Sequence, residues 1–356
     1  MDVSFRFVPY GEDLLPEPGV LVVDVGMRTV PGVIDHHHPQ AEPECAASLI
    51  VRHPDLVLGH PLAPLGEIVT HRLPDFDALC AAFLALRLLE TRRVDPAMER
   101  LAAYAKLADS ASLPPSIDLG ATPYAILRAM FAGSKGPEEA ANEARVVEGL
   151  KFMRFLHGRA ERGEDLLENR RLFAGIDRYE MAQRKVGGDH ARYLDDAGRG
   201  LKLKLKLPAG VGTGVKDIDG LVVRNPTSFL LKEWARRDRE NAPGGSGFGF
   251  LMTNFMETRY ILGVDPARGV RLKGLADLLN RREAEKRRDS GRPFTAWYDG
   301  NCPLFDFRII DSPQDRTALG FEDILAVLVE FGGARPKKTA QTGNKTRRAA
   351  GTEAGS

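Results

Sequence analysis

Side chains able to hold hard divalent cations crowd between residues 20 and 78: Asp24, Asp35, His36, His37, His71, Asp75 and Asp77. They fall in three clusters, VVDVG (22–26), IDHHHP (34–39) and IVTHRLPDFDA (68–78). In each, a run of β-branched and aliphatic residues stops at Asp or His, the pattern of a buried strand that delivers a polar side chain at its carboxyl end. Open parallel sheets bind ligands at that edge. Carboxylates mixed with imidazoles suit manganese, or magnesium, and no thiolate is present to favour zinc. Two such ions roughly 3.5 to 4 Å apart lower the pKa of bound water and clamp the attacking and leaving oxygens, so the expected chemistry is hydrolysis of a phosphate ester or anhydride.

HxxxDxDA at 71–78, VDVG around Asp24 and DHH at 35–37 resemble the motifs of the DHH phosphoesterase superfamily, across roughly the first third of the chain. That superfamily includes manganese-dependent pyrophosphatases, exopolyphosphatases, RecJ-like exonucleases and small-oligonucleotide phosphodiesterases. In the usual family order HxxxDxD comes first, whereas here it follows the other two motifs. A doubly wound sheet accommodates such a permutation, because domain termini often lie close together.

The resemblance implies that His71 and Asp75 hold one ion, that Asp77 and His36 hold the other, and that Asp24 bridges both. It also implies a fourth-motif aspartate on the second ion, for which Asp109 in LADSAS is the candidate; the plainer reading of Asp109 is a helix-end cap. His37 would contact substrate phosphate as a cation or as a donor to the leaving oxygen, so His37 and Asp24 are the expected catalytic residues. Asp35 would stand behind them and fix an imidazole tautomer. His38 is either a second phosphate contact or a solvent-facing loop histidine. The GGGH element frequent in the family's second domain is absent, and its nearest counterpart, the glycine string at 244–249, lacks the histidine.

Basic residues near expected strand ends or turns are Arg224, Arg268, Arg271, Lys273 and Arg292, any of which is otherwise part of a solvated face. Arg224 and Arg271 are taken as substrate-binding, since arginine's fork matches phosphate. Trp297 and Tyr298 could stack on a base, whereas Trp234 fits better as core.

The elements that must position these groups read as α/β throughout. A doubly wound, mainly parallel sheet is expected first, from strands at 4–9, 20–25, 33–35, 56–58 and 67–71 and helices at 44–51, 77–93, 95–107 and 123–131. Helices at 137–162 and 166–189 would connect it to a second, mixed α/β domain. That domain has strands at 201–207, 220–223, 248–253, 259–264, 294–297 and 305–310, and helices at 227–237, 272–287 and 321–331. The expected divisions are a metal-binding phosphoesterase domain at 1–135, a helical connector at 136–199, a substrate-binding or lid domain at 200–332 and a disordered basic tail at 333–356.

The chain has 356 residues, enough for two cores, and its 50 basic and 49 acidic side chains nearly cancel. No global electrostatic footprint for duplex nucleic acid or an anionic membrane follows, so any phosphate attraction must be local. Cys45, Cys80 and Cys302 are far apart and form no CxxC pair, which argues against a disulfide framework. With no membrane-length apolar run and no signal-like amino terminus, a reducing cytoplasm is the default. The expected activity is that of a phosphohydrolase on a phosphorylated small molecule, with a nucleotide or short oligonucleotide preferred. The alternatives are a pyrophosphatase- or exopolyphosphatase-like activity and a nucleotide-binding regulatory protein without turnover.

Overall fold

The computed structural model describes residues 3–61, 64–133, 138–332 and 335–336. Apart from 335–336, the tail expected to be disordered lies outside the described residues. In chain order the elements are β1 (Ser4–Val8), β2 (Val20–Val23), β3 (Thr29–Val30), β4 (Val33–Ile34), α1 (Ala46–Arg52), α2 (Asp55–Leu58), β5 (Glu67–His71), α3 (Phe76–Thr91), α4 (Pro96–Asp109), α5 (Pro123–Phe131), α6 (Glu138–Glu161) and α7 (Asp177–Arg199). There follow β6 (Leu201–Pro208), β7 (Val215–Arg224), α8 (Leu231–Arg237), β8 (Phe250–Phe255), β9 (Arg259–Val264), α9 (Leu275–Asp289), β10 (Ile309–Asp311), α10 (Phe321–Gly332) and β11 (Arg335–Pro336).

The first sheet runs β1-β5-β2-β4-β3, parallel except for β3. Side chains alternate across it as strand geometry requires. Leu21, Val23, Ile34 and Ile68 point into the large core shared with α1 and α3, while Val22, Val33 and Val69 form a small valine layer on the other face. That second face is covered by Leu14, whose N–H bonds to the Gly26 carbonyl, and among the described residues no helix contributes to its cluster. The sheet is therefore α/β but wound on one side, which corrects the doubly wound expectation. Helix α3 lies flat against the sheet because Ala78, Ala81, Ala82 and Ala85 are all buried.

The second sheet runs β10-β9-β8-β7-β6-β11 and is antiparallel except between β7 and β8. In LKLKLKL the leucines at 203, 205 and 207 are buried beneath α9 and α10, and Lys204 reaches Asp219 at 2.7 Å. On the opposite face α7 and α8 cover β7 and the near side of β8. The remaining part of that face, on β8, β9 and β10, looks toward the first sheet.

Four local expectations are corrected. Residues 56–58 form the helical turn α2, not a strand, since Pro54 and Asp55 start a turn and a three-residue apolar run carries no period. Residues 294–297 are loop, and Tyr298 bridges to Asp311 instead. Only Ile309–Asp311 of the 305–310 strand is extended, because Asp306 and Phe307 take left-handed backbone. Finally, 166–189 does not form one helix: α7 begins at Asp177 and runs through Gly187 and Gly188. Helices α6 and α7 are also less a connector than part of the first core, which takes in Phe152, Met153, Leu156, Tyr179, Ala182 and Val186. Among the described residues no helix is long and apolar enough to cross a membrane.

Candidate metal centre

The carboxyl ends of the neighbouring strands β5, β2 and β4 meet at one edge of the first sheet, so His71, Asp24 and the 35–37 segment converge whatever their order along the chain. Asp24 closes β2 in the left-handed region, at φ 60°, a conformation costly for most residues but tolerated by Asp and Asn. Its carboxylate lies between two imidazoles, with Oδ1 3.2 Å from His36 Nε2 and Oδ2 3.3 Å from His71 Nε2. His71 Nε2 is also 3.8 Å from Asp75 Oδ1. His36 Nε2 is 3.9 Å from Asp77 Oδ2 and 3.5 Å from Asp109 Oδ2. Ligand atoms of Asp24, His71 and Asp75, and again of His36, Asp77 and Asp109, lie within 4.8 Å of one another.

The donor set fits a divalent cation on an observation independent of motif. Asp24 Oδ1, His36 Nε2 and Asp109 Oδ2 are buried, lie against one another and have no hydrogen-bond partner among the described residues. Buried polar atoms are nearly always paired, and leaving them unpaired is costly, so a set of them converging on one spot is what a bound cation would satisfy.

Electrostatics point the same way. Burial would raise Asp24, but His36 and His71 hold its carboxyl well below the usual range. Burial would lower His71, but Asp24 and Asp75 lift it to about 10. Asp77 and Asp109 are pushed well up, first by burial and then by neighbouring carboxylates. Without metal, protons on Asp77, Asp109 and His71 relieve this crowding of carboxylates; a divalent cation would take their place, and Mn2+ at 100 times its Kd should stabilise the fold by about 2.7 kcal/mol. At about 2.1 cal/mol/K of unfolding entropy per residue a chain of this length shifts by roughly 1.3 °C per kcal/mol, so the melting temperature should rise by about 3 to 4 °C, and EDTA should reverse it. A melting curve indifferent to Mn2+ would show that no ion enters.

Hydrogen bonds behind the cluster set its geometry. Asp75 caps α3, accepting from the N–H groups of Asp77 and Ala78. Both oxygens of Asp77 accept from the first turn of α1, at 2.7 Å from Ala46 N and 3.1 Å from Ala47 N. His71 Nδ1 is 2.9 Å from the Arg72 carbonyl, so it carries a proton, and Nε2 is the ring atom that would meet a metal. Asp35 takes the Met27 N–H at 2.7 Å and His37 Nδ1 at 2.6 Å, which turns the other nitrogen of His37 outward. Burial would lower His37, yet Asp35 lifts it to about 9, so the ring is a cation at neutral pH in the metal-free protein. Sequence reading missed Tyr10, whose ring stacks on His71 at 4.1 Å with its hydroxyl 3.0 Å from Nε2. It also missed Phe305 of the second unit, 5.4 Å from His36. Neither residue carries a local signal: only the pairing of β1 with β5 and the docking of the second unit bring them in.

The cluster opens into a cavity of about 950 Å³ between the two sheets, lined on one side by His37, Asp75, Asp77 and Asp109 and on the other by strands of the second sheet. Arg128, Arg145, Lys232, Arg236 and Arg308 supply its positive charge. Arg128 is tied to the Phe229 carbonyl at 2.8 Å, Arg236 to Ala111 at 3.1 Å and Arg308 to Phe305 at 2.8 Å. Lys232 has no hydrogen-bond or ion-pair partner among the described residues, and burial lowers its pKa. Buried Asp189 holds the start of α8, and hence Lys232, by accepting from the N–H groups of Phe229 and Leu230.

The structure does not bring the expected substrate-binding arginines to this cavity. Arg224 lies over the Phe321 ring and 3.9 Å from Glu257, and Arg271 is bound to Asp306 at 2.7 Å. Each charge is met by an acid that sequence spacing did not reveal. His38 turns aside to Thr29 Oγ1 at 3.0 Å. The glycine string is stitched to Asp219 and Arg268 away from the cavity. Tyr298 does line it, 6.4 Å from His37, whereas Trp234 bonds to Asp189.

Asp311 also lines the cavity, and burial pushes its carboxyl up to about 6 from an ordinary 3.8. A raised carboxyl contributes stability below the unfolded value and loses it as pH rises through the folded one. Asp311→Asn should therefore raise the melting temperature at pH 8 and leave it nearly unchanged at pH 4. A variant less stable at pH 8 would contradict this. A scan against protein-family models, a search of curated proteins and a search of solved structures find no match to this chain.

Proposed function

We propose that this protein is a divalent-metal-dependent phosphohydrolase of the DHH type, with Mn2+ as the preferred metal and Mg2+ second. The observation that carries the reading is the Asp24 carboxylate set between His36 and His71, joining two groups of ligand atoms into one centre. Asp24, His71 and Asp75 would hold one ion, and Asp24, His36, Asp77 and Asp109 the other. Such ions, when bound, supply an acidified water and neutralise charge on the transferred phosphoryl group.

The chain's own groups do the rest. His37, oriented by Asp35 beside the centre, is the donor for the leaving oxygen or a cationic contact for the phosphate. Lys232 and Arg128 place positive charge along the cavity, where a phosphate away from the reacting bond would lie. Tyr10 and Phe305 screen the histidines from bulk water. The cavity is roomy and its walls include Tyr298, Phe305, Tyr124 and Phe131, which suits a nucleotide or short oligonucleotide better than pyrophosphate.

The test is a substrate panel in Mn2+ and in EDTA, run beside an Asp75→Ala, Asp77→Ala double variant. Mononucleotide release from short oligomers should require Mn2+ and vanish in the variant. Phosphate release from polyphosphate alone would reverse the substrate preference, and wild-type turnover by the variant would remove these carboxylates from the centre.

A further inference from the structure

The cavity wall facing the metal centre is itself built for recognition. Strand register aligns Thr253, Ile261 and Asp311 in one row across β8, β9 and β10, and Leu251, Gly263 and Ile309 in the next. All six line the cavity, while the intervening Met252, Leu262 and Ile310 point into the core beneath α9 and α10. At the centre of this face Gly263 leaves a hollow: a Cβ added there would meet only the Arg308 carbonyl oxygen, at 3.6 Å. At its edge stands Asp311, whose Oδ1 is buried with no hydrogen-bond partner among the described residues. Tyr298 exchanges both backbone hydrogen bonds with Asp311, each 3.0 Å, and its ring faces His37, so this wall and the metal centre share one neighbour.

A flat, glycine-floored shelf with a single unpaired carboxylate at its rim has a definite complement. We propose that this face is a head-group subsite that takes a planar heterocycle presenting two adjacent N–H donors, the Watson–Crick edge of guanine, and that Asp311 is its specificity-determining residue. The ring lies over Gly263 between the aliphatic side chains of Ile261 and Ile309, and the carboxylate receives both N–H groups. A carboxylate can accept from both at once, whereas adenine and uracil would leave it at least partly unsatisfied. The inference rests on the proposed function in placing the nucleotide's phosphate at the metal centre, but base preference can be read from binding without any turnover.

The test is calorimetric titration of the full-length protein with GMP, IMP, AMP, UMP and inorganic phosphate. Wild type should bind GMP about tenfold or more tighter than AMP, with IMP, which lacks the second donor, in between. Asp311→Asn should shrink the GMP preference to about twofold or less, and Gly263→Val should weaken every nucleotide while sparing inorganic phosphate. Equal affinity for GMP and AMP, an unchanged preference in Asp311→Asn, or no nucleotide binding at all overturns the subsite. Base-selective binding without hydrolysis of any panel substrate supports the subsite and removes the phosphohydrolase reading, while hydrolysis without base preference does the reverse.

Discussion

Asp24→Asn should abolish Mn2+-dependent hydrolysis and most Mn2+ binding together. Its carboxylate stands between the two imidazoles, at 3.2 and 3.3 Å, and among the described residues no other acid approaches both. Losing it therefore takes a ligand from each half of the centre. The effect should exceed the roughly 10- to 100-fold loss that follows removal of a group standing behind a metal ligand. Asparagine is the informative replacement, because at φ 60° it is tolerated where alanine would add backbone strain. Metal content and kcat/KM at saturating Mn2+ are the measurements. A variant within tenfold of wild type in turnover would end the bridging assignment.

Asp77→Ala should cost stability by an amount that depends on the metal. The side chain accepts from the buried N–H groups of Ala46 and Ala47, and each such group left unpaired costs about 1 to 3 kcal/mol. In the metal-free protein that loss is offset, since burial and the charge of Asp24 already hold the Asp77 carboxyl under strong pressure to stay neutral. In Mn2+ nothing offsets it, and the variant should trail wild type by about 2 kcal/mol or more. Asp77→Asn keeps one of the two acceptors for α1 and carries no buried charge, so in EDTA it should melt at or above Asp77→Ala, but without the increment from Mn2+. Thermal melts of the three proteins in Mn2+ and in EDTA separate the two roles. If Asp77→Ala gained as much from Mn2+ as wild type, Asp77 would be a helix cap and nothing more.

Much of this centre is legible in the residues themselves. An aliphatic run ending in a charged side chain is a local pattern, so β2 and β5 with Asp24 and His71, the Asp75 cap and the small-residue face of α3 can all be read directly. Other parts carry no such pattern. Gly187 and Gly188 look like a break, yet α7 runs through them, because buried Asp189 and Asp196 anchor it to the segment before α8. Arg224 and Arg271 look available, yet Glu257 and Asp306 claim them. Lys232 and Asp311 look unremarkable, and they face the cavity without a direct partner.

Sequence alone determined the α/β class and the strand ends that bear acids and imidazoles, because periodicity and side-chain chemistry are properties of the chain taken a few residues at a time. Tertiary structure alone decided that β5 sits beside β2 and so brings the three clusters together whatever their order along the chain, that among the described residues helices cover one face of the first sheet, and that the second sheet turns Asp311 toward the cavity. Those outcomes depend on which distant surfaces bury one another, and the free energy of that burial belongs to no single segment.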